Sequence, residues 1–471
     1  MDAHVWMGST RTQPARYAER KSPYDGKVVS RWGVCGAEDA LRALTIAEKA
    51  AKTARKTPLH RRCAWLNDVA ARLRERREEF ARVLCDEVGK PITYARIEVD
   101  RCIETITLSA ETMRTMHGET INTDAMESGR SAHAYWRRES AGVIVAITPF
   151  NFPLNLVAHK LAPALVSGNA VVLKPTPEAP LCAYKLAELF IESPYAVPDA
   201  LSVVYGDAEV GGTLVSSDIP RVVSFTGSVG VGNIITKNAG IKKVSLELGG
   251  NAATYIDADA DLEYAAQRCA IGAFVNSGQV CISLQRIYVD ASVYDAFAAK
   301  MAEATAALVV GSPYDEGTFL GPLINDEAAM RAMNWVESAI AEGARALTPP
   351  RREGRIFYPC VMADVTESMK IVCEEVFAPI VSLVKVEGID DAVMRMNNSP
   401  YGLQFSVFTN NLSHVKKMID ECEAGGVVIN DMPTLRFDIQ PYGGVKLSGV
   451  GREGPRFAIE EFTEIKSIVI L

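Results

Sequence analysis

From residue 143 onward, short strand-like runs alternate with helical stretches, and this alternation limits the possible folds more than any other feature of the chain. Strands that alternate with helices at this spacing are typical of a parallel sheet whose strands are joined by crossover helices. A second series begins after Gly250, so the sequence predicts an α/β protein with two parallel sheets and a cleft between them. The predicted strands are 143–147, 170–173, 201–204, 222–225 and 244–248 in the first series and 252–256 and 286–289 in the second, which also contains a helix around 262–276.

The segment before this region has a helical periodicity. Residues 37–115 are rich in Ala, Arg, Glu and Leu and place apolar residues at helical spacing, which predicts two or three amphipathic helices. We expect them to break near Pro58 and at Gly89-Lys90-Pro91, because proline and glycine interrupt helices. Residues 120–139 alternate as a β-hairpin does. Residues 463–471 form a last strand-like run, whose edge needs a partner in this chain or in a neighbouring subunit.

Composition limits the class of protein. A chain of 471 residues exceeds what one compact core holds, so two or three domains are expected. The net charge of −8 argues against nucleic-acid binding, and no apolar run is long enough to span a membrane. No signal peptide is expected, because the first residues are polar and punctuated by prolines. The ten cysteines are scattered singly, which suits reduced thiols in the cytoplasm, and the histidines lie too far from other ligand residues to predict a metal site.

One cysteine stands in a setting that suggests chemistry. Cys281 follows a Gly-Gln pair and lies 34 residues beyond Glu247. A thiol becomes a nucleophile only when other groups deprotonate it, orient it and stabilise its product. Glu247 lies between two leucines, and an apolar setting raises the pKa of a carboxyl group toward that of a general base near neutrality. Asn151 is clamped between prolines, and its amide could donate to an oxyanion, although an ordinary Asn turn has the same spacing.

Other features could bind a phosphate or a ribose. Thr226-Gly227-Ser228 follows a predicted strand and precedes a helix that we place from near Asn233, and glycines at such a turn let the backbone approach a phosphate. Lys174 ends another predicted strand, from which its amino group could reach a ribose. An ordinary strand-to-helix turn and a solvated lysine would look the same in the sequence, as would a solvated helix start at Glu374-Glu375.

The order of the motifs is more informative than any one of them. Along the chain they are Pro149-Phe150-Asn151-Phe152-Pro153, Lys174-Pro175, Phe225-Thr226-Gly227-Ser228, Leu246-Glu247-Leu248-Gly249-Gly250, Gly278-Gln279-Val280-Cys281 and Glu374-Glu375-Val376-Phe377-Ala378-Pro379. In this order they resemble the NAD(P)-dependent aldehyde dehydrogenase superfamily, and most of all its lactaldehyde and glyceraldehyde dehydrogenases. The resemblance runs from the helices near residue 37 to the last strand.

The resemblance implies the architecture in more detail. A Rossmann-like cofactor-binding domain would comprise residues 1–118 and 141–248, and a catalytic domain residues 249–430. A small β-extension, residues 119–140 and 453–471, would pair with a neighbouring subunit. The resemblance therefore implies a homodimer or a homotetramer.

The resemblance also implies a role for each reacting group. Cys281 would attack the aldehyde carbonyl to give a thiohemiacetal, whose oxyanion the Asn151 side chain and the backbone N–H of Cys281 would hold. Hydride would pass to C4 of the nicotinamide and leave a thioester, and Glu247 would activate the water that hydrolyses it. Relatives that transfer the acyl group to coenzyme A tend to lack this glutamate. A carboxylic acid product is therefore expected, with transfer to coenzyme A as the alternative.

The cofactor contacts follow from the same resemblance. Lys174 would bind the adenine ribose, Ser228 the pyrophosphate, and Glu375 with Phe377 the nicotinamide ribose. Pro177 stands where the family often has a glutamate that repels a 2′-phosphate, so the cofactor is expected to be NADP or NAD. The other expected cofactor-binding residues are Ile147, Thr148, Phe150, Gly206, Gly227 and Gly249.

The expected substrate is a small aldehyde that is hydroxylated or anionic, such as lactaldehyde or glyceraldehyde. The expected contacts are Phe152, His159, Ser283 and Arg436, of which His159 stands where enzymes for apolar aldehydes commonly have tryptophan. Arg436 could instead pair with Asp438 and shape the loop 430–440. Succinic semialdehyde and aldehydes with a phosphonate or sulfonate group remain alternatives.

Overall fold

The structure is a computed structural model that describes residues 1–471. Its main elements are two large β-sheets. The strands, in chain order, are β1 Asp2–Ala3, β2 Val5–Met7, β3 Thr10–Thr12, β4 Tyr17–Lys21, β5 Val28–Gly33, β6 Thr120–Ile121, β7 His133–Ser140, β8 Val143–Ile147, β9 Ala170–Lys174, β10 Leu201–Val203, β11 Val222–Thr226, β12 Lys243–Glu247, β13 Ala252–Ile256, β14 Leu284–Asp290, β15 Arg345–Ala346, β16 Arg352–Glu353, β17 Ile356–Phe357, β18 Cys360–Ala363, β19 Ile380–Val386, β20 Tyr401–Gly402, β21 Gln404–Phe408, β22 Gly426–Ile429, β23 Val445–Lys446, β24 Gly449–Val450 and β25 Thr463–Ile470. The helices are α1 Ala37–Lys56, α2 Leu59–Glu75, α3 Arg77–Val88, α4 Ile92–Thr115, α5 Asn155–Val166, α6 Pro180–Ile191, α7 Ala208–Ser216, α8 Val229–Asn238, α9 Leu262–Phe274, α10 Tyr294–Ala306, α11 Asp326–Ala341, α12 Lys370–Cys373, α13 Ile389–Asn397, α14 Leu412–Glu421 and α15 Pro455–Glu461.

The first sheet has the order β24-β12-β11-β8-β9-β10-β2-β3, and its five central strands are parallel. The chain leaves β8 toward β9 and β10 on one side and then returns to β11 and β12 on the other. Such a reversal opens a crevice at the carboxyl ends of the strands, where α/β proteins bind ligands. Strand β24 joins this sheet late in the chain, so the predicted segments 1–118 and 141–248 leave out one of its strands.

The second sheet has the order β15-β18-β19-β14-β13-β21-β22, with parallel pairing from β18 to β22. Its apolar residues form clusters separate from the core of 75 buried residues that surrounds the first sheet. The first sheet therefore has one core and the second has three smaller apolar clusters, and the predicted α/β fold with two parallel sheets is confirmed.

A third, three-stranded sheet stands apart from both. Strand β25 pairs antiparallel with β7 along its whole length, and β7 also pairs with β6. The predicted hairpin and the predicted last strand thus form one sheet within the chain. None of the helices combines the length and the apolar character that crossing a membrane requires.

Two predictions about helices were wrong. Residues 37–115 form four helices, because the chain bends at Arg76 (φ −104°, ψ 19°) between α2 and α3, where no proline or glycine announces a break. Helix α8 begins at Val229 and not near Asn233, because the Ser228 side chain caps it by accepting the N–H of Val231 at 3.4 Å. Serine is a favoured N-cap residue, so the sequence did contain this second signal.

Candidate active site

The turn that presents Cys281 has a constrained backbone. Asn276, Ser277 and Gly278 have φ of 52°, 56° and 70°, a left-handed region that only glycine adopts without cost. The Asn276 side chain donates to the carbonyl of Gln279 at 3.2 Å, and the Ser277 hydroxyl donates to a backbone carbonyl at 2.8 Å. Non-glycine residues remain in this region only where their surroundings fix them. The position of Cys281 is therefore set by a locked turn.

Cys281 lines a small cavity between the two sheets, with a volume of about 230 Å³. Drug-sized ligands usually occupy pockets of roughly 300–1,000 Å³, so this one suits a molecule of few atoms. Three cationic side chains, Lys90, Arg101 and Arg436, reach the wall. The apolar part of the wall consists of Tyr94, Ile97, Phe152, Leu156, Ile271, Val275, Val280, Ile282, Met432 and Tyr442.

Asn151 lies on the wall of the same cavity and is buried. Its Oδ1 accepts the N–H of Phe152 at 3.1 Å, which leaves the amide nitrogen as its free donor. The backbone carbonyl of Asn151 accepts the side chain of Asn276 at 3.3 Å, so the asparagine is tied to the turn that carries Cys281. The structure therefore places an amide donor and a thiol on one cavity.

A buried ion pair supports this part of the wall. Lys90 pairs with Glu98 and donates to the backbone carbonyl of Asn151 at 2.8 Å. Its Nζ lies 3.8 Å from the ring centroid of Phe152. Glu98 accepts the N–H of Asn155, at the start of α5, at 3.2 Å. Burial lowers the pKa of Lys90, and the charge of Glu98 opposes this shift. The pair therefore holds the backbone from Asn151 to Asn155.

The thiol of Cys281 has one polar neighbour at hydrogen-bond distance. The hydroxyl of Tyr442 lies 2.9 Å from Sγ. Burial raises the pKa of Cys281 to about 11, while the hydrogen bond from Tyr442 and then the charge of Arg436 act in the opposite direction. At neutral pH the thiol is therefore protonated in the structure as it stands.

Glu247 ends strand β12 and is 3% exposed. Neither of its carboxyl oxygens has a hydrogen-bond partner. Burial raises its pKa well above the ordinary value, and the charge of Glu453 adds to the effect. Glu247 is not among the residues that line the cavity, but it is close enough for its charge to raise the pKa of Cys281. An unpartnered buried carboxyl group of this kind suits a general base.

A network of charged side chains lies behind the cavity. Arg101 donates two hydrogen bonds to Asp438, at 2.9 and 2.7 Å, and His159 contacts the same carboxylate at 2.9 Å. Arg436 donates to Glu453 at 3.2 Å and lies 3.9 Å from Asp438, so Asp438 pairs chiefly with Arg101. The alternative role expected for Arg436 was to shape the loop 430–440 by pairing with Asp438. This pair is the longer contact of each residue, so it contributes little to the position of the loop.

This network carries a net positive charge. Burial raises the pKa of Asp438, but the hydrogen bonds from His159 and Arg101 outweigh it and hold that pKa below the ordinary range. Burial and then Arg436 lower the pKa of His159, which keeps the ring neutral. Glu453 stays ionised beside Lys160, 3.2 Å away. Three cations, namely Arg101, Arg436 and Lys160, thus face the ionised carboxylates of Asp438 and Glu453, which leaves one excess positive charge as long as the neighbouring Glu247 is protonated. The Nε of Arg436 has no hydrogen-bond partner.

A second cavity, of about 350 Å³, lies at the carboxyl ends of β8, β9 and β11. Its wall includes three of the expected cofactor-binding residues, Ile147, Thr148 and Lys174, together with Thr176 and Asp207. The hydroxyl of Thr148 is buried and has no hydrogen-bond partner. This cavity occupies the crevice where the strand order reverses, which is the usual nucleotide position in such sheets.

Other expected cofactor residues form contacts of their own. Glu375 accepts the N–H of Gly250 at 2.9 Å, and a Cβ at Gly249 would lie 2.4 Å from this carboxylate. Burial raises the pKa of Glu375 to about 7. Phe377 packs edge-on against Phe150, with 5.9 Å between ring centroids.

The remaining cofactor predictions fall on strand-to-helix turns. Ser228 caps helix α8. Gly227 and Gly206 lie so close to Phe225 and Val210 that a Cβ would approach within 2.4 Å. None of these three residues lines the second cavity. Their roles stay predictions.

Two of the expected substrate contacts lie outside the cavity. His159 is buried against Asp438, and Ser283 donates its hydroxyl to the carbonyl of Ala273 at 3.0 Å. Phe152 and Arg436 do line the wall. The sequence analysis missed Lys90, Arg101 and Tyr442. The motif Gly89-Lys90-Pro91 indicated only a helix break, and nothing in the sequence distinguishes Arg101 from the other arginines of α4.

Comparisons with known proteins agree with this geometry. The model of the aldehyde dehydrogenase family matches residues 10–468. The chain is 43% identical to 3-sulfolactaldehyde dehydrogenase of Priestia aryabhattai, over 97% of this chain and 95% of that protein. It is 38% identical to lactaldehyde dehydrogenase of Methanococcus maripaludis, over 95% of this chain and 96% of that protein.

A solved structure has the same fold. Glyceraldehyde-3-phosphate dehydrogenase GapN from Methanocaldococcus jannaschii DSM 2661, complexed with NADP, has a TM-score of 0.93 and 38% identity, covering 97% of this chain and 99% of that one. The resemblance found in the sequence is confirmed. The chain belongs to the aldehyde dehydrogenase family.

Proposed function

We propose that the protein oxidises a small anionic aldehyde to its carboxylic acid with NADP or NAD, through a thiohemiacetal and a thioester on Cys281. The observation that carries the proposal is the shared cavity of Cys281, Arg101 and Arg436, backed by a network that has one excess positive charge while Glu247 is protonated. An anionic group on the substrate would neutralise that charge. Hydrogen bonds between charged partners are the stronger ones, and Arg is well shaped for carboxylate, phosphate or sulfonate groups.

In this mechanism each side chain has a separate role. After the thiol has released its proton to solvent, Cys281 Sγ forms a bond to the aldehyde carbon as the carbonyl π bond breaks, and the Asn151 amide donates to the oxygen that becomes negative. A bound nicotinamide cofactor would supply the acceptor for the hydride of the thiohemiacetal carbon. Glu247 then takes a proton from a water molecule that adds to the thioester, and the carbon–sulfur bond breaks to release the acid and the thiol. The presence of Glu247 supports hydrolysis over transfer to coenzyme A.

The second cavity fits the cofactor. It offers the unpartnered hydroxyl of Thr148, an amino group at Lys174 and small residues at Gly211 and Gly212, where a nucleotide could approach the backbone. Pro177 lines the wall, and Glu178 bonds instead to the hydroxyl of Thr176 and does not line it. Because residue 177 is a proline and not a glutamate, the 2′-phosphate of NADP would be repelled less than in relatives that have the glutamate. We therefore propose that NADP is accepted, as it is in the crystal of the archaeal glyceraldehyde-3-phosphate dehydrogenase.

Reduced-cofactor formation with a panel of aldehydes tests this function. The panel contains 3-sulfolactaldehyde, succinic semialdehyde, lactaldehyde, glyceraldehyde and hexanal, each with NAD and with NADP. We expect the highest kcat/KM for an anionic member. A preference for lactaldehyde or glyceraldehyde would favour the second candidate, a neutral hydroxylated substrate, which the similarity to lactaldehyde dehydrogenase supports. Activity only with coenzyme A present would contradict the hydrolytic mechanism.

Replacing Arg101 by methionine should abolish the preference for an anion. Its side chain is 26% exposed and keeps a hydrophobic stem in the variant. Hydrogen bonds to charged groups are worth about 1.5–3 kcal/mol, so kcat/KM for the preferred anionic aldehyde should fall about 10- to 100-fold, with a much smaller effect on neutral aldehydes. Arg96→Met is a matched control, because Arg96 also lies on α4 and pairs with carboxylates, Glu78 and Glu316, but does not line the cavity. Equal losses for charged and neutral aldehydes would refute the anion site.

We also propose that the third sheet joins two copies of the chain. Strand β25 lies at one edge of this sheet and exposes the apolar side chains of Ile465, Val469 and Ile470 at 60%, 61% and 54%, which a second subunit would cover. Val469→Lys should therefore shift the protein to a smaller species in sedimentation velocity. Leu412→Lys, at an exposed apolar residue on α14, serves as control. A wild-type monomer at micromolar concentration would contradict this assembly.

A further inference from the structure

One polar group touches the nucleophile and has no part in the mechanism above. The hydroxyl of Tyr442 lies 2.9 Å from Sγ of Cys281, and this sulfur is its only hydrogen-bond partner. Tyr442 is 5% exposed. A buried tyrosine hydroxyl normally finds a polar partner, and here the partner is the reacting atom itself.

The tyrosine is held so that its hydroxyl cannot move away from the sulfur. Its backbone exchanges two hydrogen bonds with that of Glu453, at 3.1 and 2.6 Å. The guanidinium carbon of Arg436 lies 3.6 Å from the ring centroid, within the range of a cation–π contact. Arg436 is anchored in turn by the Glu453 carboxylate. Both the backbone and the ring face are therefore fixed.

We propose that Tyr442 is a catalytic residue that donates a hydrogen bond to the Cys281 thiolate and orients its sulfur toward the aldehyde carbon. The inference rests on the proposed function for the identity of the nucleophile. In the resting thiol, S–H can donate to the phenol oxygen. Once the thiol has lost its proton, the hydroxyl turns and donates to the sulfur. The tyrosine keeps its proton throughout, so no charge is left on it.

The surroundings suit a permanent donor. Burial raises the pKa of Tyr442 well above its ordinary value, and the neighbouring Cys281 adds to the shift. The phenol therefore stays protonated when the thiol ionises. The other charged groups that act on Cys281 are Arg436, Glu247 and Glu375. Arg436 favours the thiolate, whereas the two carboxylates oppose it.

Tyr442→Phe removes the hydroxyl and keeps the ring on which Arg436 packs. The measurement is the pH profile of Cys281 alkylation by iodoacetamide, followed by mass spectrometry of the peptide that contains this cysteine. We expect the apparent pKa of Cys281 to rise by about one unit. At any pH below this pKa, the fraction of Cys281 present as thiolate would then be tenfold smaller. The alkylation rate there should fall only about threefold, because a more basic thiolate is also more nucleophilic. Burial raises the pKa of Glu375 to about 7, so the charge of Glu375 on Cys281 also changes with pH in both proteins. The quantity to compare is therefore the difference between the alkylation profiles of the wild type and Tyr442→Phe.

Tyr314→Phe is the matched control, because it removes a tyrosine hydroxyl that bonds Asp86 at 2.8 Å, away from Cys281. It should leave the alkylation profile unchanged. An unchanged profile in Tyr442→Phe would overturn the inference and leave the tyrosine a packing residue. A second readout is the rate of the first turnover, which should fall while cofactor affinity stays the same; a loss confined to cofactor affinity would also overturn it. Because alkylation needs no aldehyde, a wild-type protein without aldehyde oxidation would refute the proposed function separately.

Discussion

Cys281→Ala should abolish aldehyde oxidation, with a fall in kcat on the order of 10⁶-fold, the loss seen when the nucleophile of a covalent mechanism is removed. The expectation follows from the cavity, because no other cysteine lines it. The change removes one buried sulfur atom and leaves the second cavity intact, so binding of NADP should be retained. Steady-state rates and a direct cofactor-binding titration measure the two effects.

Cys422→Ala is the control for this variant. Cys422 lies directly after α14, is half-buried and is remote from both cavities, so its loss should leave kcat unchanged. Turnover by Cys281→Ala at more than a few per cent of the wild-type rate would exclude a thiol mechanism. Loss of cofactor binding together with activity would show instead that the turn at Asn276–Gly278 had lost its shape.

Glu247→Gln should separate the two halves of the reaction. The thiol attack and the hydride transfer need no base on the water, whereas hydrolysis of the thioester does. We therefore expect a burst of about one reduced cofactor per site, followed by turnover slowed by roughly 10²- to 10⁴-fold, the usual contribution of a general base. Stopped-flow absorbance at 340 nm resolves both phases.

The pH dependence gives a second test of Glu247. A base acts in its deprotonated form, and burial together with Glu453 raises the pKa of Glu247. The rate of thioester hydrolysis in the wild type should therefore rise with pH above the ordinary range of a carboxyl group, and in Glu247→Gln this rise should be absent. Equal slowing of the burst and of the steady state would place Glu247 before the thioester and contradict the assignment.

Much of the fold could be predicted because strands and crossover helices have different periods. Strands β8 and β13 lie at the residues that the sequence indicates, and the other five strands predicted for the two series differ from the observed ones by one or two residues at an end. The break at Arg76 could not be found, since arginine and glutamate are good helix formers, whereas in the structure α2 and α3 both pack against α4 from the two sides of the bend. Tertiary contacts override local preference there.

The site residues that lie in recognisable sequence motifs could be predicted. Cys281 and Asn151 meet at one cavity, as expected, and Arg436 lines it. His159 was expected at the mouth but lies behind the wall, because Asp438 and Arg436 enclose it. Arg101 reaches the cavity from a helix 180 residues before Cys281 in the chain. Contacts between such distant segments depend on how the two sheets face each other, which no local pattern records.

The pairing of β7 with β25 has a consequence for how the protein is made. Lys466 reaches Glu139 across 327 residues of chain, and the edge of β7 that does not face β6 stays unpaired until this distant partner has been made. During synthesis on the ribosome, both large sheets can be complete while β7 is still an unsatisfied edge. Closing so long a loop is slow and comes late in folding. If two copies join through this sheet as proposed, they can recognise each other only after β25 has been synthesised.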